Sequence, residues 1–232
     1  MDKNKLPTLA ILGGTGKEGP GLALRWAAVG YPVLIGSRQL EKAQATAADL
    51  NQRLGRDVVT GLENADAARQ ADVSVLTVVQ TAHQAALEGL KEALQGKILV
   101  DATARVDFRD PRPPMPPSAA RLAQDILGSG VRVVAAFQNV PAHALKKKLG
   151  ESLDMDVLIC AQDLEAAQEV MKLAEAAGMR AYFAGGLENA LVVEGLTSLL
   201  IGINKHYGVK TASIAVTGRS EEHTSELQSR QS

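Results

Sequence analysis

Short apolar runs alternate with helix-length amphipathic segments along the first 140 residues of the chain. Strand-like runs occupy 9–12, 33–35, 58–60, 73–79, 98–100 and 131–137, and helical spacing of apolar residues covers 17–30, 41–54 and 84–94. The strand-like runs are apolar on both faces, which is typical of a parallel sheet covered by helices on each side. The pattern therefore predicts an α/β fold with a doubly wound parallel sheet.

The pattern changes beyond residue 143, where strands are predicted at 157–160 and 180–184 and helices at 164–177 and 189–207. We expect a first domain over 7–143 and a smaller C-terminal α/β domain over 144–218. The last helix is too apolar to face solvent on more than one side, so it belongs either in the core of the smaller domain or at a dimer interface.

Residues 107–117 carry five of the nine prolines in the chain. Proline has no backbone N–H, so neither a helix nor a central strand is expected here. The segment is either a surface connector or a loop that folds over a bound substrate.

Residues 219–232 interrupt the protein-like pattern. The stretch 219–229 matches, codon for codon, the in-frame translation of a common sequencing adapter. We interpret 219–232 as non-native and exclude it from the fold.

The charge balance and the distribution of apolar residues and cysteine limit which partners and which cellular compartment are expected. The chain has 25 Lys and Arg against 26 Asp and Glu, so no nucleic-acid partner is expected. It has neither an N-terminal signal-like stretch nor a run of about 18 apolar residues, and a single cysteine, Cys160, within an apolar run. We expect a cytoplasmic protein without a membrane partner and with Cys160 packed in a strand.

His83, His143 and His206 lack metal-ligand spacing, so no metal site is expected, and these histidines should be exposed or internally bonded.

A glycine motif follows the first predicted strand. Residues 14–19 read Gly-Thr-Gly-Lys-Glu-Gly and open the first predicted helix. In this context Gly14 suits a tight turn, Gly16 lets the backbone approach a pyrophosphate, and Gly19 allows close packing of helix on strand. Together with the helix N-terminus, the motif predicts a Rossmann-type dinucleotide site.

The end of the second predicted strand indicates which dinucleotide binds. Ser37 and Arg38 stand where an NAD-binding protein usually has a carboxylate, and Lys42 follows four residues later. A hydroxyl and two cations suit the 2′-phosphate of NADP, which a carboxylate would repel. The sequence favours NADP(H).

These residues resemble the NADPH:coenzyme F420 oxidoreductases, also called F420-dependent NADP reductases. The resemblance covers nearly all of 8–217, and its specific points are 12–16, 21–25, 35–38 with Lys42, 75–78, 118–120, 133–142 and 187–197. Within the last of these, Leu187-Glu-Asn, Val193-Glu and Leu196-Thr lie outside any general dinucleotide signature.

The resemblance implies direct hydride transfer between NADP(H) and coenzyme F420, a deazaflavin co-substrate, in a cleft between two domains of a homodimeric enzyme. It places Thr15, Gly16, Lys17 and Glu18 at the pyrophosphate, and Val78, Ala104 and Ala142 at the ribose and nicotinamide. Because the cofactors carry the reactive atoms, no catalytic acid is assigned.

The resemblance also places the acceptor. On this basis F420 lies between 78–80, 137–139 and 185–189, with a final strand starting near Ala212. The residues expected on this side are Gln80, Gln138, Asn139, Leu187 and Ala212.

The sequence departs from the family pattern on this acceptor side. Val79 and Gln80 replace a proline followed by an aromatic residue, Gln138 replaces a histidine, 101–105 replaces a Val-Pro-rich turn, and Gly186 replaces a proline. Two alternatives to F420 reduction therefore stay open. One is an NADPH-dependent reductase of another acceptor, and the other is an NADP(H)-binding sensor or regulatory protein without turnover.

Overall fold

The computed structural model describes residues 6–146 and 149–218. Its strands are β1 (Leu9–Leu12), β2 (Val33–Ser37), β3 (Val59–Glu63), β4 (Val73–Leu76), β5 (Ile98–Asp101), β6 (Arg132–Ala135), β7 (Asp156–Ala161) and β8 (Arg180–Phe183). Its helices are α1 (Gly19–Ala28), α2 (Leu40–Leu54), α3 (Asn64–Gln70), α4 (Gln80–Leu94), α5 (Ala119–Leu127), α6 (Ala142–Leu145), α7 (Leu164–Ala176) and α8 (Ala190–Tyr207), with a 3-10 turn at Leu187–Asn189 before α8.

The eight strands form one sheet in the order β3-β2-β1-β4-β5-β6-β7-β8. Every neighbouring pair is parallel except β6 and β7, which are antiparallel. The chain order reverses between β1 and β4, which is the position where open α/β sheets bind ligands beyond their carboxyl ends. The predicted doubly wound α/β fold is confirmed.

Helices cover both faces of the sheet, and each face has its own hydrophobic cluster. On one face, α1 lies almost wholly buried between the sheet and α7. The Trp26 indole N–H donates to the Leu173 carbonyl at 2.7 Å, and the buried Arg25 guanidinium donates to the Leu145 and Ala177 carbonyls at 3.1 and 2.9 Å. These bonds satisfy polar groups that would be costly to bury alone. They tie α1 to segments about 120 to 150 residues later.

The C-terminal strands continue the sheet of the first six strands. Only Val134 and Ala135 of β6 pair with β7, opposite Ala161 and Cys160. Cys160 is buried, as the sequence predicts, and burial raises the pKa of its thiol to about 11. The division of the chain at residue 143 stays a prediction.

Residues 106–117 contain neither helix nor strand, which agrees with the prediction from the prolines. The predicted strand near Ala212 is wrong. The amide of Ala212 donates to the Asn204 side chain, and that of Val216 donates to the Asp156 carboxylate. Because these amides donate to side chains, they do not form the backbone bonds of a strand. One backbone bond joins the segment to β7, from the Asp156 amide to the Ile214 carbonyl at 2.8 Å.

The final helix leaves much of its surface uncovered. The stretch Leu187–Tyr207 is, by length and composition alone, apolar enough to cross a membrane, and a third of its most apolar window is buried in the protein. Val193, Glu194 and Thr197 face inward, whereas Val192 and Leu199 are 67% and 59% exposed. The helix therefore presents an apolar outer face.

Candidate active site

The loop between β1 and α1 is fixed by close backbone contacts. The tight turn after β1 contains both Gly13, whose φ of 70° favours glycine, and Gly14, at which the sequence places the turn. Gly14 is required for another reason, because a Cβ there would lie 2.6 Å from the Ile11 carbonyl oxygen. A Cβ on Gly19 would lie 2.7 Å from the Gly14 Cα and 3.0 Å from the Thr77 hydroxyl oxygen, so α1 begins in close contact with the glycine loop and with the residue that follows β4.

The middle of this loop is open. A Cβ on Gly16 would meet no atom closer than 3.8 Å, and Gly16 and Lys17 are exposed while Thr15 is half-buried. The glycine therefore leaves space for a ligand to approach the backbone at the N-terminus of α1. Such a cradle fits a pyrophosphate.

Glu18 immediately precedes α1 and makes no side-chain capping bond. Its Oε1 is buried without a partner among the described residues, and burial raises the pKa of the carboxyl to about 8. A carboxyl with this pKa is mostly neutral at pH 7, so it does not repel a phosphate as a carboxylate would.

Asn64, the first residue of α3, supports the loop and was missed by the sequence reasoning. Its side-chain oxygen accepts from the Gly13 amide at 3.0 Å, and the same oxygen would lie 2.7 Å from a Cβ on Gly36. Gly36 therefore has to be glycine for Asn64 to reach the loop. The sequence Asn-Ala-Asp is typical of the start of a helix, so it indicates that Asn64 lies near a helix N-terminus. It does not indicate that the Asn64 side chain bonds to Gly13.

The structure brings Ser37, Arg38 and Lys42 together where β2 passes into α2. Ser37 is buried, and its oxygen accepts from the Gln39 amide at 3.2 Å. Arg38 and Lys42 are exposed, one on each side of the start of α2, and neither side chain has a bonding partner among residues 6–146 and 149–218. The pair leaves two uncompensated positive charges beside the glycine loop.

Val78 and Ala104 lie just beyond the ends of β4 and β5, and Ala142 is the first residue of α6, which follows β6. All three are half-buried, and the Thr103 hydroxyl donates to the Val78 carbonyl at 3.5 Å. Gln80 is exposed at the first turn of α4. These positions agree with a ligand lying along the carboxyl edge of the sheet.

Gln138 and Asn139 are buried beyond the end of β6. One Gln138 amide N–H donates to the Asp101 carbonyl at 3.2 Å, so the side-chain orientation is fixed and Oε1 has no partner among the described residues. The atom of this side chain that has no partner is therefore a hydrogen-bond acceptor. The Thr197 hydroxyl, also missed from sequence, lies 3.1 Å from the Gln138 carbonyl and 2.9 Å from the Asn139 side-chain oxygen.

His83 and Asp101 form a second polar group at this edge. The His83 Nε2 lies 2.6 Å from the Asp101 Oδ2, and both side chains are almost fully buried. The Thr103 amide donates to the other carboxylate oxygen at 3.0 Å. His83 is therefore bonded internally through Nε2, as the sequence predicts, whereas its buried Nδ1 has no partner among the described residues.

Leu187 and Ala212, the other residues predicted on the acceptor side, do not join the buried polar group at Gln138 and Asn139. Leu187 is fully buried in a hydrophobic cluster, so its side chain presents no surface to a ligand in this structure. Ala212 lies half-buried in the irregular segment after α8.

Two of the grooves on the described surface bear on where the site lies. One, of about 650 Å³, runs along the outer side of α2 and β3, and it contains none of the predicted site residues. The other, of about 380 Å³, lies between Gln80 and the proline-rich segment. Its lining is Gln80, Arg105, Asp107, Asp110, Arg112, Pro113, Pro114 and Met115. Of the two, the groove at Gln80 adjoins the predicted acceptor side.

Known proteins share both the sequence and the fold. Residues 8–105 match the family model described as "NADP oxidoreductase coenzyme F420-dependent". The chain is 38% identical to the F420-dependent NADP reductase of Methanothermobacter thermautotrophicus, covering 96% of this chain and all of that one. It is 41% identical to the enzyme of the same name from Methanothermobacter marburgensis, covering 92% and 99%.

A solved structure from Arthrobacter sp. FB24, titled as a proposed F420-dependent NADP reductase, superposes with a TM-score of 0.76. It is 27% identical in sequence, and the match covers 91% of this chain and 100% of that one. Since the similarity to the curated relatives extends over their whole length, this chain belongs to the family of coenzyme F420-dependent NADP oxidoreductases.

Proposed function

We propose that this protein transfers a hydride between NADP(H) and coenzyme F420. The observation that carries the proposal is the 38% identity to an F420-dependent NADP reductase over the full length of that relative. The open glycine loop and the two free cations at the end of β2 support the NADP half independently. When both are bound, the nicotinamide supplies or accepts the hydride and the deazaflavin is its partner.

On the dinucleotide side, the open backbone at 14–19 receives the pyrophosphate, with Thr15, Lys17 and the neutral Glu18 around it. Ser37, Arg38 and Lys42 bind the 2′-phosphate. Ser37 can donate its hydroxyl proton because its oxygen already accepts from the Gln39 amide. Charge-assisted bonds from Arg38 and Lys42 distinguish NADP(H) from NAD(H).

On the acceptor side, Val78, Ala104 and Ala142 border the nicotinamide, and Gln80, Gln138 and Asn139 border the deazaflavin. The free Oε1 of Gln138 suits an N–H donor on the acceptor ring, since a buried acceptor without a partner is unfavourable. The residues act by stacking the two rings and excluding water, and none is assigned as an acid.

The outer face of α8 supports a homodimer. Val192, Leu199, Ile203 and Tyr207 are 67%, 59%, 43% and 71% exposed, and a second copy of the chain would cover them. In this proposal 144–218 serves acceptor binding and dimerisation, and the enzyme is cytoplasmic. Light scattering on the protein and on a Leu199→Glu variant tests the dimer, because the charge should produce monomers.

The direct test of the proposed function mixes the protein with NADPH and oxidised F420 and follows the deazaflavin absorbance. We expect bleaching that depends on enzyme concentration and is much slower with NADH. If NADPH binds in a fluorescence titration but F420 is not reduced, the F420 assignment fails. The chain is then a reductase of another acceptor or a sensor.

A further inference from the structure

Glu194 is a fully buried carboxyl on α8 that the hydride transfer itself does not use. Its Oε1 accepts from the Ala119 amide at 2.5 Å, and its Oε2 accepts from the Arg105 amide at 3.3 Å. These two amides lie at opposite ends of the proline-rich segment. One carboxylate therefore holds together both ends of residues 105–119.

The segment has few other means of fixing its backbone. Its five prolines carry no N–H, and it forms no helix or strand. The Arg105 guanidinium donates to the Met115 and Pro117 carbonyls, and Lys205, also on α8, donates to the Arg109 carbonyl at 3.0 Å. The segment is thus attached to α8 at both ends by Glu194 and near its middle by Lys205.

The same helix also contacts the other wall of the acceptor side. Thr197 lies three residues after Glu194, so the two side chains share one face of α8. Thr197 bonds to the Gln138 carbonyl, whereas Glu194 bonds to the segment that lines the groove beside Gln80. A single helix face therefore connects the two regions between which the acceptor is expected.

We propose that Glu194 is a positioning residue for the hydride acceptor, which holds the proline-rich segment against α8 and so shapes the groove beside Gln80. This inference rests on the proposed function, because it takes that groove as part of the acceptor side. Of the two interpretations of residues 107–117, a surface connector or a loop that folds over a bound substrate, this inference favours the loop.

The protonation state of Glu194 should matter near neutral pH. The pKa of this carboxyl is raised to about 7, mainly by burial and in smaller part by the negative charge of Asp101, against the lowering effect of the two amides and the Arg105 guanidinium. Asp101 is itself bonded to His83. An ionised Glu194 accepts both amides, but a protonated carboxyl has an O–H that points at a donor, so one end of the segment is released.

Lowering the pH should weaken the attachment of the proline-rich segment to α8. As pH falls from 8 to 6, Glu194 changes from mostly ionised to mostly protonated, and the segment loosens. The KM for F420 should therefore rise by about fivefold, the scale of one lost hydrogen bond. The NADPH dissociation constant should be unaffected by this group, because the glycine loop and β2 do not contact Glu194.

The experiment uses the full chain and the variants Glu194→Gln and Lys205→Met. Glu194→Gln mimics the protonated form, so its KM for F420 should be raised about fivefold at pH 8 and should not change further down to pH 6. Lys205→Met releases only the middle of the segment and removes no buried group. It should raise the KM for F420 while keeping the wild-type pH dependence. Glu165→Gln and Lys210→Met, exposed and outside these contacts, are the matched controls.

A second measurement does not need turnover. Trypsin cleavage after Arg109 at pH 8 should be several-fold faster in both variants than in the wild type and the controls. A Glu194→Gln protein that folds, keeps the wild-type KM and pH profile and is cut no faster would overturn the inference. If the wild type reduces no F420, the proposed function fails, and the cleavage rates alone decide whether Glu194 holds the segment.

Discussion

Arg38→Ala should separate the binding of NADPH from that of NADH. The side chain is exposed at the start of α2 and has no bonding partner among the described residues, so its loss should leave the fold intact. A charge-assisted hydrogen bond contributes about 1.5 to 3 kcal/mol, and solvent screening at this exposed position favours the lower half of that range. We expect a loss of about 2 kcal/mol, or about 30-fold in the NADPH dissociation constant.

Nucleotide titration monitored by Trp26 fluorescence or by calorimetry would measure this difference. NADH has no 2′-phosphate, so its dissociation constant should change by less than about twofold. Arg53→Ala is the control, because it removes the same charge from the last turn of the same helix. An equal loss for both nucleotides would mean that Arg38 supports the structure, and the specificity argument would then be refuted.

Four other outcomes are expected. Gly61→Ala should lower the free energy of unfolding by about 2 to 3 kcal/mol, measured by urea denaturation, because a Cβ there would lie 2.3 Å from the Gln44 backbone nitrogen. NADPH affinity should fall as pH rises through about 8, since burial raises the pKa of Glu18 to about 8 and its ionised form repels phosphates. A Glu18→Gln variant that still shows the fall would contradict this. Gln138→Leu should reduce kcat/KM for F420 more than Gln138→His, which should stay within about tenfold of wild type; equal rates for all three would exclude Gln138 from the acceptor side. Cutting the chain after Gly218 should leave the melting temperature and NADPH binding unchanged, and a drop of several degrees would show that 219–232 is not an inert addition.

Residues 219–232, which the sequence indicates to be non-native, lie outside the described residues. Within the described residues, eight of the nine predicted strands and the five predicted helices agree with the structure, because each depends on neighbours in the chain. Helices α3, α5 and α6 were not predicted, and the strand predicted near Ala212 does not form. The predicted ends of the strands agreed less well with the structure than the strands themselves. The predicted strand over 73–79 stops at Leu76, although the Thr77 amide still donates to the Leu12 carbonyl of β1 at 3.0 Å.

The sequence by itself determined the βαβ pattern, the dinucleotide loop and the positive charge at the end of β2. Apolar periodicity and residue chemistry decide these features locally, over ten to twenty residues. The tertiary structure decided which distant groups complete the site. Asn64 reaches Gly13 across 51 residues, and Glu194 reaches Ala119 across 75. Such contacts depend on strand order and on the path of α8 over the sheet. The sequence therefore marks Val193-Glu as a point of resemblance to a family, but it does not show which loop the Glu194 carboxyl contacts.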